Sequence, residues 1–455
     1  MNDRSWNLTM GGEWMGSRRF SMYDEPEYLS LIQMFRDADI GFAHLEMNLH
    51  EQLTPAIKGE WYGGYFGADP GIADDLKWAG FDMMSCAHNH NGDYGQYGII
   101  ETIRHLDRVG IVQAGTGPDL ARAREPGYLE HRNGRAALIS VSSGHRIDEA
   151  ATYSTGITPG RAGNNPLRYT TRLIVDAESF QMLKELSARL SRIKVGRGGL
   201  ARDSRELPKL AEDEFWFLAR FVPGEEVTIE TIPHPRDLEA NLRAVRDAAR
   251  QANLVIVSHH HHGPSVDPDC PETYVETFAR ACIDEGADIY VGHGPHRDQG
   301  IEIYKGKPIL YSLGNLWAQS QFLHRIPAEG YEVYGLDADV LPTLTPADYH
   351  DARINALPPG YPPDAQHPVW WENTVAQVKI ENGKLVEITL HPVTLGYGHP
   401  GPERKHGVRV EGRPMPAPQE NGRRILERMA RLSSPYGTEI TLKDGVGIVN
   451  LARVR

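Results

Sequence analysis

Short apolar runs alternate with amphipathic helical patterns through the first half of the chain and again from about 235 to 315. Trp6 to Met10, Ile40 to Ala43, Phe81 to Cys86, Ala136 to Val141, Leu254 to Ser258, Ile289 to Val291 and Ile309 to Tyr311 read as strands. Leu238, Leu242, Val245 and Ala249 recur at helical spacing. So do Val275, Phe278, Ala279 and Cys282, in a helix predicted to start near Pro271 and stop before Gly286. Each element has one apolar face to cover, so the alternation predicts an α/β fold with helices layered on sheet.

Two stretches break that rhythm. Residues 150 to 235 hold a Gly-rich turn region, a helical segment from Glu178 to Lys194 and the aromatic run Phe215-Trp216-Phe217, and they read as an insertion. Residues 317 to 372, rich in Pro, Tyr and Asp, read as a long loop or lid. The expected division is therefore a catalytic domain over 1–316, the loop or lid over 317–372, and a small β-rich extension over 373–455. In that extension Thr374 to Ile380 and Leu385 to Leu390 read as strands and Asn421 to Leu432 as a short helix.

The residues just past each strand carry the chemistry. The first run leads into Gly11-Gly12-Glu13-Trp14, the second into His44-Leu45-Glu46, and the third into His88-Asn89-His90-Asn91-Gly92-Asp93. Leu254 to Ser258 leads into His259-His260-His261-His262, and Ile289 to Val291 into Gly292-His293-Gly294-Pro295-His296. Ligands of α/β sheets bind beyond the carboxyl ends of the strands, so these five segments are expected to converge on one pocket. Imidazole and carboxylate suit divalent zinc, manganese or iron, and the lack of cysteine at these points excludes a structural tetrathiolate zinc site. Two acids, an amide and four or more histidines exceed what one ion needs. Two divalent ions about 3.5–4 Å apart are therefore expected.

Composition closes off other classes. With 40% hydrophobic and 24% charged residues the chain is an ordinary globular one. Its formal net charge of -13 disfavours nucleic acid and anionic membranes, leaving a small molecule as the expected partner, with a homodimer allowed. Cys86, Cys270 and Cys282 make no disulfide framework, and no apolar run is long enough for a membrane span or signal peptide. A cytoplasmic location is expected.

Gly12-Glu13, His44-Leu45-Glu46, His88-Asn89-His90 with Asp93-Tyr94-Gly95, Gly292-His293-Gly294-Pro295-His296 and Tyr311-Ser312-Leu313-Gly314-Asn315 also match a known pattern in order and spacing. Through about 1–145 and 250–316 the chain resembles the bacterial capsule-synthesis protein A family, of poly-γ-glutamate synthesis type, a branch of the calcineurin-like metallophosphatase superfamily. The resemblance implies a metallophosphatase-like four-layer β-sandwich flanked by helices, with a binuclear site at its loop edge. It implies Glu13, Glu46, Asn89, His259, His293 and His296 as metal ligands. Glu13 stands where the family usually has Asp, His44 where it has Asn, and the histidine run replaces a His-Trp-Gly.

The remaining polar groups are expected to work on the substrate. His90, His260, His261 and Asp93 would move protons. His44, His88, Arg19, Trp61, Tyr65 and Trp317 would contact the substrate, and this aromatic content fits a flat apolar molecule. The expected function is metal-assisted hydrolysis of, or proton abstraction from, a small organic molecule. One alternative is a C–C lyase that releases formaldehyde from lignin-derived phenylcoumaran aromatics. Another is a metal-free scaffold of capsule polymer synthesis.

Overall fold

A computed structural model describes residues 5–57, 64–190, 215–217, 219–323, 325–355, 367–396 and 412–451. Its centre is the strand Ser5–Met15, in parallel with Ile40–Leu45 on one side. On the other side its first half pairs antiparallel with Glu372–Glu381, and its second half pairs parallel with Asn315–Ala318. Met83–Ser85 and Val112–Ala114 continue this ten-stranded sheet at one edge, Lys384–Thr394, Val446–Val449 and Ile440–Lys443 at the other. A second, six-stranded sheet runs Ile301–Tyr304, Lys307–Leu310, Ile289–His293, Leu254–His260, Gly134–Ser142, Gly127–His131.

Side-chain alternation explains how the sheets are covered. Leu8, Met10, Ile40, Phe42 and Met83 of the first sheet share one buried cluster with Leu138, Leu254, Ile256, Ile289 and Val291 of the second. The intervening residues point the other way. Ala43, Leu45 and Met84 pack with Leu31, Ile32, Phe35, Leu76 and Leu106 of the helices Pro26–Arg36, Ile72–Trp78 and Gly95–Val109. Val255, Val257 and Tyr290 pack with Leu242, Val245, Val275 and Phe278 of Pro235–Ala249 and Thr273–Asp284. Helices thus cover the outer faces of two sheets that share one core. Each fully buried Leu, Ile, Val or Phe contributes about 1.5–3 kcal/mol to it.

The expected insertion contains the strand Tyr169–Val175, the helix Ala177–Leu190 and the strands Phe215–Phe217, Ala219–Pro223 and Thr228–Pro233, which form a separate four-stranded sheet. The predicted helix end at Lys194 lies outside the described residues. Two expectations need revising. The stretch 317–372 is not simply a loop: it holds Ala328–Val333, Pro346–Asn355 and Pro368–Trp371 as short helices. The C-terminal strands are no appendage either, because Glu372–Glu381 pairs directly with the N-terminal strand.

Candidate metal centre

The alternation that builds the shared core also selects the polar residues at its rim. Ile40 and Phe42 lie between the sheets, and the next residue on that face is His44. Leu254 and Ile256 lead on the same face to His260, and Ile289 and Val291 lead to His293. All three imidazoles are fully buried. His44 is stacked between the others, its centroid 4.9 Å from His260 and 4.6 Å from His293. Its Nδ1 meets Ser85 Oγ at 2.8 Å. His44 Nε2, His260 Nδ1 and both nitrogens of His293 have no hydrogen-bond partner.

Burial opposes protonation of all three. It pushes His44 and His260 well below the ordinary histidine value, helped by the neighbouring rings, and His293 down to about 3. Neutral imidazoles keep a lone pair for a metal.

The two carboxylates arrive by different routes. Register with the neighbouring strand shifts between Met10 and Glu13, so a bulge at Gly11-Gly12 sets the direction of Glu13. A Cβ on Gly12 would lie 2.0 Å from the Gly314 carbonyl oxygen, so only glycine allows this approach. Glu13 accepts a hydrogen bond from Gly294 N–H, and its Oε2 lies 2.6 Å from His296 Nδ1. Burial alone would raise the Glu13 carboxyl, but the His296 ring, with Glu46 and His44, holds it well below the usual carboxylate range.

Glu46 sits at the middle. Its Oε1 is 3.9 Å from His260 Nε2 and 4.0 Å from His90 Nε2, and its Oε2 is 3.9 Å from His296 Nε2. These separations are too long for hydrogen bonds. Ligands about 2.0–2.2 Å from a tetrahedral ion lie about 3.3–3.6 Å apart, so these donors come within about 1 Å of that spacing. Two donor sets result, each with its ligand atoms within 4.8 Å of one another: Glu46, His260 and His262, and Glu13, Glu46 and His296. Glu46 belongs to both.

His90 is aimed by its surroundings. Asp93 Oδ2 lies 2.7 Å from His90 Nδ1 and also accepts from Phe66 N. The Phe66 ring is stacked flat on the imidazole at 3.8 Å, and Asn48 Nδ2 donates to the His90 carbonyl. Asn89 Oδ1 meets His260 Nε2 at 3.0 Å. His88 bonds within its own loop, its Nδ1 accepting from His90 N and its Nε2 lying 3.0 Å from Asn91 Nδ2.

Several expected residues fall elsewhere. His259 points to the opposite face of its strand, with Nε2 on Ser143 Oγ at 2.6 Å and Nδ1 on Tyr290 OH at 2.7 Å. Both ring nitrogens are engaged, whereas His260, on the other face, turns Nε2 toward Glu46 Oε1 at 3.9 Å. His261 shares that face: Nδ1 lies 2.9 Å from Glu272 Oε2 and Nε2 3.4 Å from the Tyr311 carbonyl. It backs the site and does not line it. Arg19 bonds Asp75 at 2.5 Å, and Trp317 packs among Trp14, Phe20 and Tyr28 in the helix-covered core. Tyr65 is buried near Tyr349 and Gly330, and Trp61 lies outside the described residues.

His262, Trp370 and Asn315 also enter. His262 has its ring 4.8 Å from His260 and 5.6 Å from His296. Trp370 lies 4.3 Å from His296, and Asn315 Oδ1 meets His296 Nδ1 at 2.9 Å. The two-residue strand period alone separates His260 and His262 from His259 and His261.

A buried polar atom left unbonded costs about 1–3 kcal/mol, so four unpartnered imidazole nitrogens beside two buried carboxylates fit a cation-binding centre. The class is thus a helix-covered, two-sheet α/β protein with a candidate metal centre at the strand ends. Residues 8–320 match the family described as bacterial capsule synthesis protein PGA_cap, and the chain belongs to that family. It is 34% identical over 450 residues to the uncharacterised protein y4sH of Sinorhizobium fredii, covering 97% of this chain and 92% of the relative. A probable polyglutamine synthesis accessory protein of Mycobacterium tuberculosis is 29% identical over 51% of this chain and 44% of its own length. The PGA biosynthesis protein CapA of Bacillus subtilis is 43% identical over 18% of this chain and 21% of its own.

Proposed function

We propose that this chain is a metal-dependent hydrolase of a small organic molecule, built on a metallophosphatase-like sandwich with two divalent cations held on either side of Glu46. The carrying observation is that Glu46 is common to both donor sets. His260 and His262 would hold one ion and Glu13 and His296 the other, with Asn89, His44 and His293 as further donors. Such a pair of ions supplies a nucleophile from water at neutral pH and polarises an oxygen of the substrate.

The protein's own residues do the rest. His90, with Nδ1 bound to Asp93 and its ring fixed on Phe66, presents Nε2 toward Glu46 as a proton donor to the leaving group. The half-buried Trp370 ring beside His296 supports a flat substrate. The described residues include no helix long and apolar enough to cross a membrane, and all three cysteines are unpaired, which supports action in a reducing compartment.

A second reading keeps the metals and replaces hydrolysis by proton removal, as in the formaldehyde-releasing lyase. The His90–Asp93 pair beside Glu46 favours it. The relatives' names support a part in capsule polymer synthesis, and a third reading gives this chain such a part without metals. Metal analysis of the purified protein comes first, followed by incubation with phosphoesters and with hydroxymethyl aromatics. Hydrolysis predicts bound metal and phosphate release that disappears in His90→Ala. Formaldehyde release without phosphate would favour the lyase, and absence of metal would favour the scaffold.

A further inference from the structure

His296 adopts φ 53°, a left-handed conformation uncommon outside glycine because the Cβ crowds the following carbonyl oxygen. Such a conformation persists only where its surroundings over-determine it. Part of that restraint comes from Asn315, which meets His296 Nδ1 and donates to the His296 carbonyl. Glu13 Oε2 and the Trp370 ring also adjoin it, and a further restraint comes from far along the chain.

Asp298, two residues after His296, is fully buried. Its Oδ1 accepts from Thr374 N at 3.3 Å and from Thr374 Oγ1 at 3.1 Å, and its Oδ2 accepts from Arg428 Nη2 at 3.3 Å. Arg428 lies on the helix Gln419–Ser433 and donates from the same nitrogen to the Glu372 carbonyl. Glu372 directly follows the short helix that carries Trp370, whose carbonyl accepts from Asn315 and Asn373. The same helix reaches the loop again where Ser433 Oγ accepts from Ile301 N. One guanidinium therefore joins the two segments that flank His296, the loop through Asp298 and the Trp370–Glu372 turn.

We propose that Arg428 is a positioning residue for the metal centre: it holds Asp298 and the Glu372 carbonyl together and so fixes His296 for the ion on the Glu13 side of Glu46. The proposal rests on the metal reading above. Arg428 lies beyond the residues that match the family, so this chain's C-terminal helix contributes to the site without touching it. Loss of such an outer contact typically lowers metal affinity about 10–100-fold.

The test is Mn²⁺ and Zn²⁺ titration of the full, chelator-stripped chain by calorimetry, with thermal melts of the metal-free protein alongside. Arg428→Met is expected to weaken one of two sites by about 10–100-fold and leave the other within about threefold. Arg428→Lys should recover part of the loss. Leu426→Ala, a buried change on the same helix that touches neither Asp298 nor Glu372 through a polar group, should lower the melting temperature without moving either affinity. If Arg428→Met does not fold, Thr374→Val removes another Asp298 contact and should weaken the same site. Wild-type affinity in a folded Arg428→Met or Thr374→Val, or an equal loss in Leu426→Ala, overturns the proposal. A wild-type chain that binds neither metal overturns the metal reading beneath it.

Discussion

His44 and His293 lie ring to ring, 4.6 Å between centroids and 14° from parallel, and neither nitrogen of His293 has a hydrogen-bond partner. Two neutral imidazoles at the centre of a protein gain little from each other and lose their water. Replacing an orphaned polar group by an apolar one of similar shape is close to neutral for folding, or favourable. His293→Phe should therefore leave the metal-free protein as stable as the wild type, or up to about 1 kcal/mol more so. The same variant should lose metal binding at its site. Urea unfolding with and without metal separates the two effects; a large loss of metal-free stability would show that His293 serves packing.

Glu46 faces both donor sets, so its removal should affect both ions. Glu46→Gln keeps the volume and removes the charge. Metal content by elemental analysis is expected to fall from two per chain to less than one. Retention of two ions would place the bridge elsewhere.

His90 and Asp93 form a pair 2.7 Å apart. If His90 only transfers a proton, His90→Ala should lower kcat by about 10²–10⁴-fold and leave the metal content unchanged. Asp93→Asn should act in the same direction and less, since the amide oxygen can still accept from His90 Nδ1 and Phe66 N. Steady-state kinetics beside metal analysis reads both, and loss of metal in His90→Ala would make His90 a ligand.

Arg19 tests a residue that sequence reasoning put in the site. Its partner Asp75 also accepts from Phe20 N, Ser21 N and Ser21 Oγ, so the group is read as structural. Arg19→Ala should leave turnover unchanged, whereas Asp75→Asn should cost about 1.5–3 kcal/mol at neutral pH. Burial alone would raise the Asp75 carboxyl, but Arg19 and the Phe20 and Ser21 donors hold it below the ordinary aspartate value. A lowered folded-state value means this stability is complete above the unfolded value and is lost as pH falls through the folded one. The wild-type advantage over Asp75→Asn should thus shrink in acid. An unchanged difference in urea unfolding between pH 6 and pH 3 would contradict it.

Alternation of strands and helices is legible because the strands read as short apolar runs and the helices as apolar residues at helical spacing, while side chains along a strand alternate between its two faces with a two-residue period. The same period, carried past the last apolar residue, points His44, His260 and His293 to one rim. Within the run His259 to His262 it also decides which rings face that rim: His260 faces Glu46, and His259 meets Ser143 and Tyr290 on the other side. Trp317 is misplaced by sequence because an aromatic residue beside a loop looks the same whether it packs inward or faces a ligand. The part played by Asn315 in seating His296 rests on contacts between remote segments, which no local pattern encodes. The C-terminal strands look separate in sequence because their pairing with Ser5–Met15 spans almost the whole chain.

The most direct measurement is a crystal structure of metal-loaded protein with anomalous data collected at the metal's absorption edge. Two peaks are expected, about 3.5–4 Å apart, one on each side of the Glu46 carboxylate. A loaded crystal with no peak within coordinating distance of Glu46 would contradict the account.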